Sequence, residues 1–369
     1  MLISTLLDVL YEKTIWFGRQ KYWLLVLGLV FTIVVLINGI GIVPEEAYRR
    51  LSQNPFNTRT DIHLLNYWQE TLLLPIVAYY LHLTSSLTFN LFCFIIIASI
   101  YLLFAILTSR RWNSYLALIS TTLLITSPLT TILLAWLGMP DGLTVLFTIP
   151  FLFTQSLPII FGLAILGATN HPIFIVAIME ILTLRWLARD DIKPKHIVLV
   201  ATGSALGYGL VKFFLTVNGI EVSSRLDFIL SKNLDGWIRM NISNLPISIF
   251  SLFNIHWLIF PVCFVMFYKR NRLFYSLAGL MLFLNYGITF FTLDTTRVFI
   301  LLSWGILFQY IFQSYKLSVT DYRNEPKYKK QFLQALTLIG IASFITPRYF
   351  AWVGEIHITP FYELLSRIF

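Results

Sequence analysis

The sequence predicts an all-α, polytopic transmembrane helix bundle, and three observations carry that prediction. Of 369 residues, 57% are hydrophobic and only 12% are charged, roughly half the charge with which a water-soluble chain covers its surface. Apolar runs of about 20 residues, long enough to cross a bilayer core as a helix, recur along the chain. The basic residues form short clusters between those runs rather than a stripe. That distribution reads as topology information and excludes a nucleic-acid surface, despite a net charge of +9. The composition also excludes soluble-enzyme, disordered, collagen-like and disulfide-scaffold classes.

Asp8, Glu12 and Lys13 interrupt the first apolar stretch, and no small-residue cleavage site follows, unlike a secretory signal. A first span covers 22–43. The segment 44–85 follows as an extracytoplasmic loop, where Leu64, Leu65, Trp68 and Leu72 recur at helical spacing and predict interfacial helices. Within it, 71–83 holds Pro75 and is too short to cross. Spans 86–108 and 114–137 come next. The stretch 143–172 is apolar but broken by Pro150, Pro158 and Asn170-His171-Pro172. It reads as a broken hairpin with two half-length helices in 143–168, followed by a crossing at 172–188.

Spans 197–217, 246–268, 273–293, 298–315 and 333–346 complete about nine crossings plus the hairpin. A second extracytoplasmic loop occupies 218–245, and a tail at 347–369 ends in the amphipathic segment PFYELLSRIF. No soluble domain is expected, so 1–369 reads as a single transmembrane domain. Cys93 and Cys263 lie in apolar runs and read as buried space-fillers.

Basic clusters orient the chain. Lys13, Arg19 and Lys21 precede the first span, and Arg110 and Arg111 follow the second. Arg185, Arg189, Lys193 and Lys195 precede 197–217, and Lys269, Arg270 and Arg272 follow 246–268. Lys316, Arg323, Lys327, Lys329 and Lys330 precede the last span. Placing all of these in the cytoplasm satisfies the positive-inside rule at every short loop, with the N-terminus inside and the C-terminus extracytoplasmic.

No P-loop, GxSxG, HExxH or paired CxxC pattern is present. Four polar groups instead share the extracytoplasmic side, although other loops set the sidedness. They are the first-loop set Glu45, Glu46, Asp61, His63 and Glu70; Asp141 in Met139-Pro140-Asp141-Gly142; His171; and Asp294 with Arg297, joined by two threonines between long apolar runs. Carboxylates, a histidine and an arginine facing one another at a membrane surface can hold a phosphate or a divalent metal ion and supply a base.

Each residue also has a local explanation. Asp141 suits a Pro-Asp-Gly turn, His171 and Asp61 suit helix caps, Asp294 and Arg297 suit a local pair, and Glu45 and Glu46 suit solvated charges. Two charges lie at membrane depth. Lys212 either snorkels outward or reaches a lipid phosphate at the level of Arg297. Glu180, five residues from Arg185, is placed to snorkel toward the basic side.

A first span followed at once by a long acidic loop, with Glu45-Glu46-Ala47-Tyr48 within it, resembles the C-type glycosyltransferase superfamily, polytopic enzymes that use polyprenyl-phosphate-linked sugars. Polysaccharide polymerases of similar size share this look. The resemblance implies sugar transfer at the extracytoplasmic face, with Asp61, Glu45 or Glu46 as catalytic base or metal ligand. It implies that Arg297, with Lys212 or His171, neutralises the leaving phosphate, with Asp141 and Asp294 in the same substrate-binding set. The implied partners are membrane lipid and a polyprenyl-linked substrate. The soluble C-terminal domain of many members is missing. A lipid or small-solute transporter, suggested by the proline-broken segments, and a non-catalytic membrane scaffold are the alternatives.

Overall fold

The structure is a computed structural model that describes residues 2–41, 46–59, 63–231, 234–320 and 325–368. Helices α1 (Leu2–Arg19) and α2 (Trp23–Asn38) meet at a sharp bend of 116°. The following loop folds into α3 (Ala47–Gln53), a 3₁₀ turn His63–Glu70 and α4 (Leu73–Tyr80). In α5 (Ser86–Arg111), the Ser85 hydroxyl accepts from the Thr88 amide, and Arg110 and Arg111 lie in the last turn, where the helix dipole favours cations.

The expected span 114–137 is bent by 49° into α6 (Ser114–Thr126) and α7 (Pro128–Ala135), because Pro128 has no N–H to continue the ladder. Helix α8 (Asp141–Thr148) runs into a 3₁₀ turn at Pro150, and α9 (Leu157–Asn170), α10 (Ile173–Leu187) and α11 (Pro194–Val217) follow. Loop 218–245 carries α12 (Arg225–Ser231) and α13 (Leu234–Ile242). Then come α14 (Leu245–Phe253), α15 (Ile259–Phe267), α16 (Arg272–Thr289), α17 (Thr295–Thr320) and α18 (Glu325–Ile345).

Every expected crossing contains helix among its described residues. Among the described residues, four stretches are long and apolar enough to span a membrane, α5, α11, Leu245–Arg270 and α17, or six if each bent pair counts as one span. The others are shorter or less apolar, so length and composition do not reach nine. The tail departs from a purely helical class. It forms a two-stranded antiparallel hairpin, β1 (Tyr349–Trp352) with β2 (Glu355–Ile358), before the amphipathic α19 (Pro360–Ile368).

Helix α17 is the central post. It is almost wholly buried and packs against α7, α10, α14, α15, α16, α18 and β1. Such a helix is apolar on all sides because no face meets solvent.

The polar residues sort to two ends of this bundle. At one end Asp190 receives Arg111 at 2.7 Å, Arg185 at 3.2 Å and Lys316 at 3.7 Å. Arg185 is fully buried, and its Nη1 donates to the carbonyls of Phe151 and Thr154. The turn between α8 and α9 therefore lies at this basic end. Helices α8 and α9 are the short apolar helices expected of a broken hairpin, and the turn between them supplies the carbonyls that satisfy Arg185.

Candidate functional site

At the opposite end, Pro140 starts α8 and puts Asp141 in its first turn, where the helix dipole favours a carboxylate. Arg297 lies in the first turn of α17, where the same dipole disfavours a cation. Two carboxylates offset that. Arg297 Nε and Nη2 donate to Asp141 Oδ2 and Oδ1 at 2.5 and 3.0 Å, a bidentate pair, and Nη1 donates to Asp294 Oδ2 at 2.7 Å. Asp141 and Arg297 are buried, at 2% and 8% exposure. An arginine carries five N–H donors, so two remain available.

Asn170 stitches α9 to this pair, its Nδ2 donating to the Pro140 carbonyl and to Thr144 Oγ1 at 3.0 and 2.9 Å. His171 follows, and its Nδ1 accepts the Ile173 amide at 3.1 Å. That bond assigns the proton of the neutral ring to Nε2. Burial first, then the Arg225 and Arg297 guanidinia, push the imidazole well below its usual range. His171 is therefore a neutral donor, not a base.

A second ionic group lies beside the first. Glu70, itself buried, accepts from Lys212 Nζ at 2.5 Å and from Arg225 Nε at 3.3 Å, and Arg225 lies 4.8 Å over the Tyr67 ring. Two cations on one carboxylate leave an excess of one positive charge, whereas the Arg297 group has an excess of one negative charge.

These groups border a cavity of about 310 Å³. Its walls include Tyr48, Tyr67, Trp68, Trp136, Phe228 and Trp352, and its polar lining includes His171, Arg225, Asp294 and Arg297. Tyr48 stacks on Trp68 at 5.9 Å, and Trp136 meets Trp352 edge-on at 6.1 Å. Burial raises the Tyr48 phenol, which keeps its proton. The β1–β2 turn closes one side. Val353 and Gly354 both have positive φ, 52° and 77°, and the Val353 amide donates to the Leu293 carbonyl at 2.7 Å. A β-branched residue in that region is a strained turn residue, and it lines the cavity.

Of the residues expected from the sequence, Asp141, His171, Asp294 and Arg297 come together. Asp61 and Glu45 lie outside the described residues. Glu46 does not line the cavity. It faces solvent and pairs with Arg49 at 2.7 Å, which holds its carboxyl below the usual range. The reason is the amphipathicity of α3, which buries Tyr48, Leu51 and Ser52 and leaves the Glu46 side outward. Lys212 does not line the cavity either; it is bound to Glu70 instead of reaching out at the level of Arg297.

The aromatic walls and Arg225 lacked a specific signal in the sequence, since Trp352 and Arg225 reach the site only by folding. Among the described residues no three of His, Cys, Asp and Glu converge on a metal position. Between Asp141 and Asp294 the Arg297 guanidinium occupies three of the four carboxylate oxygens that a divalent ion would use, so the described set does not fit a metal. No family model, curated protein or solved structure matches the chain. Its long apolar helices make it an integral membrane protein, and the described residues are predominantly helical, with one two-stranded hairpin.

Proposed function

We propose that the chain is a membrane glycosyltransferase that moves a sugar from a polyprenyl-phosphate donor to an acceptor hydroxyl at the extracytoplasmic face. One observation carries this reading: an aromatic-walled cavity at the acid-bearing end of the bundle joins a partly exposed carboxylate, two arginines and a neutral imidazole donor. Aromatic faces suit the C–H faces of a sugar ring, and arginines suit a phosphate.

In the reaction, Asp294 takes the proton of the acceptor hydroxyl while its oxygen bonds to the sugar C1. The bond from C1 to the phosphate oxygen breaks, and the departing polyprenyl phosphate keeps the electron pair. Arg225, the remaining N–H groups of Arg297 and the Nε2–H of His171 meet that charge as it grows.

A nearly apolar groove of about 400 Å³ between α4, α9 and α11 includes Leu73, Ile76, Leu166 and Phe213, and Lys212 belongs to the same turn as Leu210 and Phe213. It is a suitable berth for a lipid chain beside the cavity. In this reading about nine segments cross, the α8–α9 hairpin adds an even number of passes, and the basic end faces the cytoplasm.

The test is transfer by the purified, vesicle-reconstituted chain with radiolabelled polyprenyl-phosphate sugars. Asp294→Asn is expected to lower the rate by about 10²-fold or more, with the protein still monodisperse. Asp61→Ala, measured alongside, separates the two candidate bases. Wild-type protein that turns over none of a broad donor panel, or an Asp294→Asn chain at full rate, overturns the reading or the role of Asp294 respectively. A second reading, a lipid or small-solute transporter, draws on one polar group at mid-depth, Glu180 with Asn285 and Ser303. Counterflow of labelled solute in the same vesicles, unchanged by Asp294→Asn, would favour it.

A further inference from the structure

Glu180 lies midway along α10. Its Oε2 accepts from Asn285 Nδ2 of α16 at 3.1 Å, and the same amide approaches Ser303 Oγ of α17 at 3.1 Å. Asn285 and Ser303 are fully buried. The expected snorkelling toward Arg185 does not occur, because Arg185 is committed to Asp190 and to the carbonyls of the α8–α9 turn.

No ion pair reaches Glu180 among the described residues, and Asn285 is the single side chain acting on its carboxyl. The elements packed on α10 are α8, α9, α11, α16, α17 and the 3₁₀ turn at Pro150. Their charges are engaged at the two ends: Asp141 with Arg297, Lys212 with Glu70, and Lys316 with the Ala188 carbonyl. Arg272, Lys195 and His196 begin their helices at the basic end, and α9 has no titratable residue. The phenols of Tyr275 and Tyr310 bond to Ser314 and to the Tyr275 carbonyl, and Tyr315 bonds to Asn113. Tyr208 lies by Lys212, and Tyr286 points its ring at Phe290. An ionised carboxylate at this depth without a cation is costly, and one proton removes the cost.

We propose that Glu180 is a proton-binding site within the membrane, held in its protonated form against Asn285, and that its charge sets how α16 seats on α10 and α17. Release of the proton from Oε1 to water leaves a carboxylate that draws water between α10 and α16 and loosens their contact. Helix α16 ends at Thr289, and the chain turns directly through Phe291, Thr292 and Leu293 to Asp294, all lining the cavity, so loosening α16 moves that wall. The proposal stands apart from the transfer reading, since it concerns the shape of the cavity and not its chemistry.

The full chain in phosphatidylcholine vesicles tests it without a substrate. Dicyclohexylcarbodiimide enters hydrocarbon and modifies protonated carboxyls. Glu180 is expected to form the adduct, with a yield that falls by roughly tenfold per pH unit above its midpoint, across about pH 5 to 9, the range documented for buried carboxyls. No adduct on Glu180 at any of these pH values overturns the site. In a second arm, Thr292→Cys is labelled with a water-soluble maleimide, and its rate is divided by that of Glu355→Cys at each pH. The ratio is expected to rise with pH in the native background and to stay flat when Glu180→Gln is added. A ratio that rises equally in both backgrounds overturns the link to the cavity. The carbodiimide arm uses the unaltered chain and does not depend on how the variants fold.

Discussion

At Arg297 and Asp141, 156 residues apart, the pairing that organises the site depends on which helix faces meet. Asp294 and Arg297 were readable as a local pair because they stand three positions apart at one helix end. The turn Met139-Pro140-Asp141-Gly142 marked Asp141 as a candidate but not its direct pairing with Arg297, which is a matter of how α8 and α17 are rotated. His171 was readable as a cap residue, and it does cap, through Nδ1. Its neutrality has a pH consequence. The folded state holds the imidazole below its unfolded value of about 6.5, so below that value the unfolded chain binds more protons. The contribution is full above about pH 6.5 and is lost as pH falls. His171→Asn keeps an acceptor for the Ile173 amide and has no such titration. Thermal unfolding in detergent is expected to show a native chain that loses stability from pH 7.5 towards pH 5 (on the order of the His range) more steeply than the variant. Parallel curves would mean that His171 is not held neutral.

Among the elements, the long apolar runs all became helices, because hydropathy and caps are local properties. The proline at 128 was visible, and it breaks the expected span 114–137 by 49°, an angle that the sequence does not give. The β1–β2 hairpin was missed because its strands have four residues each and its turn begins with Val353, not with Asn or Asp. The close contact of α9 with α11 was also missed. A methyl at Gly207 would land on the Ile165 carbonyl, and one at Gly203 would meet Ala164 Cβ at 2.9 Å, whereas Gly209 has nothing within 4 Å. Backbone cannot give way as a side chain can, so Gly207→Ala is expected to cost about 1–3 kcal/mol, read as a lower melting temperature. Gly209→Ala should leave it unchanged or slightly higher, since alanine is the better helix former. Equal effects at the two positions would show that α9 and α11 do not meet at Gly207.

Over the whole molecule, the charges divide between a basic end around Asp190 and an end where Asp294, two arginines and aromatic rings line a cavity. The proposed orientation follows from the first end and the proposed chemistry from the second, so one experiment bears on both. In right-side-out vesicles, single cysteines at Glu46 and Glu355 are expected to react with a membrane-impermeant thiol reagent, and cysteines at Lys13 and Lys269 only after permeabilisation. The reverse pattern would put the cavity in the cytoplasm and remove extracytoplasmic transfer.

Membrane residence, the positions of the helices and the alternation of basic loops were determined by the sequence alone, because each depends on the partition of a short segment between water and hydrocarbon. The tertiary structure alone decided that Arg297 takes Asp141, that Glu70 holds Lys212 and Arg225, and that Glu180 meets Asn285 instead of snorkelling. Each of these depends on the rotation of one helix against another distant in the chain. That rotation is set by the packing of many side chains at once, and no single segment encodes it.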